Sequence, residues 1–249
     1  MDKTTKIIFK TSLLLFLMYI TTILKDRSVF DTYATNAYNY KYVSEQDSID
    51  QILNEKIKDV ISLKDMNTNS KTYSSYLDYS NKYDSVVGWI KINQLVIDYP
   101  IMFSGDNFYL DHDINGNESI YGSIYLDEQS DGILGRIGLI HGHNMKDGRM
   151  FGELDKFKSE SFTKEHRYLE IADDEGTHQY KIFSVFITNG DEEIKIDYST
   201  DEEYESYFDY LKKRSLFKLD SNNIEKIIIL NTCSYEFPEA HLLVCAYEI

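Results

Sequence analysis

The sequence predicts a mainly β domain with helical additions, and three observations carry that reading. Short runs rich in Val, Ile, Leu and Tyr recur over the C-terminal two thirds of the chain, bounded by Gly, Asn, Asp or Pro. There are eight such runs, a number and spacing that suit a closed or nearly closed barrel. Proline is scarce, at 2 residues in 249, while 21 Tyr and 13 Phe supply bulk for a packed β core.

In chain order, the first element is an apolar stretch over residues 7–24, interrupted by Lys10 and followed by Lys25 and Arg27. With Lys10 at the interface it is just long enough to span a bilayer. No Ala-x-Ala site follows it, which favours an uncleaved anchor over a cleaved signal peptide. Lys3, Lys6 and Lys10 place the N-terminus in the cytoplasm, so the expected location is a single-pass cell-membrane protein with its domain outside. Three regions follow: a tip and anchor over 1–27, a helical extension over 28–84 and a barrel over 85–249.

Within the extension, Ser44 or Asp47 can cap a helix running to about residue 63. Ile49, Ile52, Leu53, Ile57, Val60 and Ile61 share one of its faces. A second helix fits residues 72–83. The pattern leaves open whether these helices pack on the barrel or form a stalk. From residue 86 the period changes to two. Residues 86–92 and 95–102 read as a hairpin, and 122–126, 137–141, 168–172 and 180–188 as further strands. The last two strands are the terminal runs around Cys233 and Cys245. Between the sixth and seventh strands, Thr-Asp-Glu-Glu opens a capped helix over 200–215.

Residues 28–249 carry 21 basic side chains against 40 acidic ones, which argues against nucleic acid and anionic lipid surfaces as partners. The two cysteines are Cys233 and Cys245. If the terminal strands pair antiparallel, Cys233 lies opposite His241 and Cys245 opposite Ile229. Their separation of ~13 Å then exceeds the ~7 Å a disulfide allows. Cys233 is expected at a strand end as a free thiol, Cys245 within a strand as a structural residue.

Six stretches carry a resemblance: Gly-Trp-Ile from residue 88, Asp-Tyr-Pro-Ile from 98, Asp-Asn-Phe-Tyr-Leu from 106, Gly-Ser-Ile-Tyr-Leu-Asp from 122, Gly-His-Asn-Met-Lys-Asp-Gly-Arg-Met-Phe-Gly from 142, and Leu-Asn-Thr-Cys-Ser-Tyr from 230. Together they resemble the class B sortases, membrane-anchored cysteine transpeptidases of Gram-positive surfaces. The resemblance implies an eight-stranded sortase barrel with N-terminal helices and a helix between strands 6 and 7. It implies a Cys–His–Arg site, a sorting-signal peptide substrate, and a cell-wall peptidoglycan or pilin amine as acceptor, with no cofactor. Cys233 is then the nucleophile and His143 the acid/base. The arginine position at the start of the last strand holds His241, a departure from the family pattern. Around the nucleophile, Leu230, Asn231, Thr232, Ser234 and Tyr235 are the expected peptide-binding residues, with Tyr207 from the 200–215 helix walling the groove.

The chemistry of these residues fits acyl transfer, which needs a nucleophile, a proton carrier and an oxyanion donor. Arg is always charged and His only below ~6.5, so either His241 does the job as an imidazolium or a neutral donor, or another group has taken over, or the enzyme is slow or inactive. His141 and His143 could also be read as metal ligands, but no acidic or cysteine cluster completes a site. Two other readings share the sequence: a degenerate sortase-like module that binds peptides without turnover, and a plain cysteine protease.

Overall fold

The computed structural model describes residues 70–249 apart from 131, 134, 191–193 and 222–225. Within it eight strands close into a barrel: β1 (Val86–Ile92), β2 (Asp98–Met102), β3 (Ile124–Leu126), β4 (Ile137–His141), β5 (Tyr168–Asp173), β6 (Gly176–Asn189), β7 (Ile227–Cys233) and β8 (Ala240–Glu248). Their order around the barrel is β1-β2-β3-β4-β7-β8-β6-β5. The β2–β3 and β4–β7 pairs are parallel, and the rest antiparallel. The mainly β, eight-stranded architecture expected from the sequence is therefore the one observed. Strand β2 starts later than expected, because Gln94 at φ 68 turns the chain and Ile92 N–H closes on Ile97 O at 2.9 Å.

Among the described residues three α-helices decorate the barrel. In α1 (Lys71–Ser80), Ser70 caps the first turn by accepting from Tyr73 N–H at 3.0 Å. Its Tyr76 is buried against Val86, Trp89, Tyr109 and Tyr125, so this helix packs on the barrel instead of standing off as a stalk. A 3-10 segment, Gly152–Lys158, leads into α2 (Glu160–Glu165), which the polar sequence there did not suggest. Helix α3 (Asp201–Arg214) is capped by Thr200, which accepts from Glu203 N–H at 3.2 Å, while Glu203 reaches back to Ser199 N–H. Three acidic residues open it and three basic residues close it, matching the helix dipole.

Strand β7 explains where a site can form. Ile228 and Leu230 point into the barrel with Leu242, Val244, Ala246, Ile90, Ile101, Ile124 and Ile140. Ile227 and Ile229 point outward, yet they too are covered, with Leu243, Cys245 and Tyr247, by Tyr204 and Leu211 of α3. Both faces are dry until the last three residues, Asn231, Thr232 and Cys233. Polar side chains begin where the cover of α3 ends.

The chain divides into two units, Met1–Ile61 and Ser62–Ile249, and every described residue lies in the second. Residues 7–24 and the helix expected to end near 63 lie outside the described residues. The expected single-pass location is corrected: among the described residues no helix is long and apolar enough to cross a membrane.

Candidate active site

Cys233 is the last residue of β7, exposed, and pairs in register with His241 on β8. Cys245 pairs with Ile229 and is fully buried. Both thiols are free, as the register argument requires. Burial among apolar side chains pushes the Cys245 thiol pKa far up, so it is inert as a nucleophile.

His143 is brought to the same end by the parallel pairing of β4 with β7, in which His141 is level with Asn231. The strands part there, but hydrogen bonds continue between the segments. Gly142 N–H donates to Asn231 O at 3.2 Å, and Thr232 Oγ1–H donates to Gly142 O at 2.7 Å. Asn144 Nδ2–H donates to Cys233 O at 2.8 Å, and Tyr235 O–H to Asn144 O at 3.1 Å. The residues on both sides of His143 are thus tied to the segment that carries the thiol. A side chain at Gly142 would collide with Ile124 and come within 2.8 Å of the Phe151 ring, so only glycine lets the chain pass so close to the barrel here.

The imidazole of His143 is held as well. Its Nε2 lies 2.8 Å from Leu110 O, in the 3-10 turn Phe108–Leu110. A carbonyl only accepts, so Nε2 carries a hydrogen and Nδ1 is the nitrogen left for proton transfer.

His241 is engaged differently from an arginine reaching into a groove. Its Nδ1 lies 2.8 Å from Asn231 Oδ1, and Asn231 Nδ2 lies 3.2 Å from His141 Nδ1. His141 Nε2 in turn lies 2.8 Å from Asp127 Oδ2, and Tyr125 stacks on the His141 ring at 5.1 Å. Burial, with the charge on His141 adding to it, holds the His241 pKa below its ordinary 6.5, which favours the neutral ring of the two forms the sequence allows. The hydrogen bond from His141 holds the Asp127 carboxyl below the usual carboxylate range. Burial, with Asp127 and Cys233 nearby, pushes Tyr125 up to about 12. One arginine does approach: Arg214 at the end of α3 donates to Thr188 Oγ1 at 3.3 Å, and Thr188 is the β6 partner of His241.

The expected peptide-binding residues separate into groups. Leu230 lies wholly inside the barrel, where no peptide reaches, because it is an odd number of residues from Cys233 and faces the other way. Asn231, Thr232 and Ser234 are buried and spend their polar groups on the framework; Ser234 Oγ accepts from Lys158 Nζ at 2.9 Å. Tyr235 is 66% exposed and borders a cavity of about 480 Å³ with Asn144, Met145 and Glu153. Tyr207 borders another cavity, of about 640 Å³, with Lys195, Tyr198 and Tyr210. Among the described residues no group of His, Cys, Asp and Glu is placed to hold a metal ion. The sequence reading missed Asn144, Asp127 and the Leu110 carbonyl. All three lie inside the quoted stretches, Asn144 next to His143, Asp127 at the end of Gly-Ser-Ile-Tyr-Leu-Asp and Leu110 at the end of Asp-Asn-Phe-Tyr-Leu, but only Asn144 adjoins a candidate catalytic residue in sequence.

A sortase domain family model matches residues 90–248. The chain is 30% identical over 175 residues to sortase B of Listeria monocytogenes, covering 68% of this chain and 71% of that one. To sortase B of Staphylococcus aureus it is 29% identical over 159 residues, covering 62% and 65%. The crystal structure of Clostridium perfringens sortase B superposes with a TM-score of 0.66 at 33% identity, covering 70% of this chain and 98% of that one. Family model, relatives and superposed structure agree: the chain belongs to the sortase family, among the class B cysteine transpeptidases.

Proposed function

We propose that Cys233 cleaves a sorting-signal peptide through a thioester and passes the acyl fragment to an amine of the cell wall or of another protein. Cys233 Sγ adds to the scissile carbonyl carbon, and the electron pair of the C=O bond moves to oxygen. Collapse of that intermediate breaks the C–N bond, while the His143 imidazolium gives a proton from Nδ1 to the departing amine. The acceptor amine then adds to the thioester, loses a proton to His143, and the thiolate leaves. Atoms and charge balance over the two halves, and the amide count is unchanged.

The observation that supports this most is the double tie between the His143 and Cys233 segments, Thr232 Oγ1–H to Gly142 O and Asn144 Nδ2–H to Cys233 O. It holds the proton carrier and the nucleophile on one framework before substrate arrives. Incubation with candidate sorting peptides, followed by intact-mass spectrometry, tests the reading. An acyl adduct absent in Cys233→Ala and discharged faster by oligoglycine or diaminopimelate-type amines is expected. No adduct with any peptide, together with an unreactive Cys233 thiol, would leave a peptide-binding module. Discharge indifferent to added amine would leave a protease.

A further inference from the structure

Four side chains form one hydrogen-bonded line across the strand ends: Asp127, His141, Asn231 and His241. Chemistry fixes the direction of each bond. A carboxylate only accepts, so His141 Nε2 carries the hydrogen it gives to Asp127. In neutral His141, Nδ1 is then a lone pair, and Asn231 Nδ2–H donates to it at 3.2 Å. That orients the amide. Asn231 Oδ1 faces His241 and receives the Nδ1 hydrogen at 2.8 Å. His241 Nε2 is left as a lone pair, on the side of Gly190, where an added methyl would approach it to 3.0 Å.

The same four groups have a second fully bonded arrangement. When His141 takes up a proton, its Nδ1 becomes a donor and needs an acceptor. A half-turn of the Asn231 amide presents Oδ1 to His141 and Nδ2–H to His241. His241 Nδ1 must then accept, so its hydrogen goes to solvent and another is taken up at Nε2. The net change is one proton gained, held on His141 against the Asp127 carboxylate. His241 stays neutral, but its outward nitrogen has turned from acceptor to donor.

We propose that Asp127, His141 and Asn231 are positioning residues that set the donor state of His241 Nε2, switched by one proton at His141. The proposal rests on the reading of Cys233 as the acylated thiol, since a donor at this strand end matters to a carbonyl oxygen bound beside it. It lets a neutral imidazole supply a donor where the family pattern has an arginine. Other groups facing the two rings are Tyr125 stacked on His141, Cys233 across from His241, Glu239 from the β7–β8 turn, and Arg214 beside Thr188. Glu239 favours a proton on His241, but burial and the charge on His141 outweigh it; of the two rings, His141 is the one bonded directly to a carboxylate, that of Asp127.

Long-range proton–nitrogen NMR of the histidine side chains in the intact chain reads each tautomer without requiring turnover. Through the His141 step, His241 is expected to change from Nδ1–H to Nε2–H while remaining neutral. Asn231→Leu, which removes both amide groups at similar volume, should abolish that change. Asn231→Asp, which puts a carboxylate between the rings, should raise both midpoints by roughly 1–3 units. Direct titration of His241 to an imidazolium with no tautomer change overturns the proposal. So does an unaltered His241 pattern in Asn231→Leu, or a midpoint that stays put in Asn231→Asp. A tautomer change in a protein whose Cys233 forms no acyl-enzyme would support the relay and sink the catalytic reading, so the two failures are distinguishable.

Discussion

Asn144 donates its side-chain amide to the backbone carbonyl of Cys233 at 2.8 Å, joining residues 89 apart in sequence. The residue after His143 therefore grips the residue that carries the thiol. The relation between imidazole and thiol depends on backbone and on one short amide, so little side-chain freedom has to be lost in the reaction.

Asn144→Ala removes that grip at a buried position. Stability is expected to drop by about 1–2 kcal/mol, the usual cost of a lost buried hydrogen-bond partner. Single-turnover acylation is expected to slow about tenfold with little change in KM, since the peptide contacts remain. A KM effect larger than the rate effect would mean that Asn144 serves substrate binding and not the framework.

Gly122 controls the other partner of His143. At φ +55 it is in the left-handed region, and a side chain there would collide with the carbonyl of Leu110. Gly122→Ala should push the Phe108–Leu110 turn aside and free His143 Nε2 from Leu110 O. A loss of about 1–3 kcal/mol in stability is expected, with single-turnover acylation slowed in the fraction that remains folded. A destabilised variant that acylates at the parental rate would show that Leu110 does not hold His143 for the reaction.

His178 lies far from this chemistry, between Asp173 Oδ1 at 3.2 Å and Glu248 Oε1 at 2.6 Å. Burial alone would lower its pKa, but the two carboxylates overcome that and raise it to about 10. A folded pKa above the unfolded value means stability fully present below ~6.5 and lost as pH rises toward the folded value. Denaturant unfolding at pH 6, 8 and 10 should show a falling midpoint. In His178→Gln that part of the slope should vanish, with a cost of about 3 kcal/mol at pH 6 from two carboxylates left facing each other. Equal pH slopes in parent and variant would refute the assignment.

The strands could be read because β-branched runs such as Ile227–Ile228–Ile229 have no other economical conformation, and the register of Cys233 with His241 followed from the short loop between them. The nucleophile and acid/base candidates stood out as motifs. What could not be read was cross-chain. The Leu110 carbonyl comes from a turn 33 residues before His143, and Asp127 reaches His141 through a strand pairing that no local pattern specifies. Leu230 was misplaced for a simpler reason. It lies three residues from Cys233 along one strand, so the alternation turns it inward. The sequence leaves open whether His241 is an imidazolium or a neutral donor; its burial and its neighbour His141 favour the neutral ring.

His241→Arg tests whether the donor at that position limits the reaction. A guanidinium can still donate to Asn231 Oδ1 and keeps further N–H groups for a substrate oxygen at every working pH. In the parent, burial and the neighbouring His141 hold the His241 pKa below 6.5, so its charged ring is disfavoured at neutral pH. His241→Arg should acylate faster above pH ~7, by up to roughly a hundredfold if a whole oxyanion donor is regained. His241→Ala should be slow at all pH values. If Ala, His and Arg acylate alike, nothing at this position touches the transition state, and Arg214 or backbone amides would have to carry the developing charge.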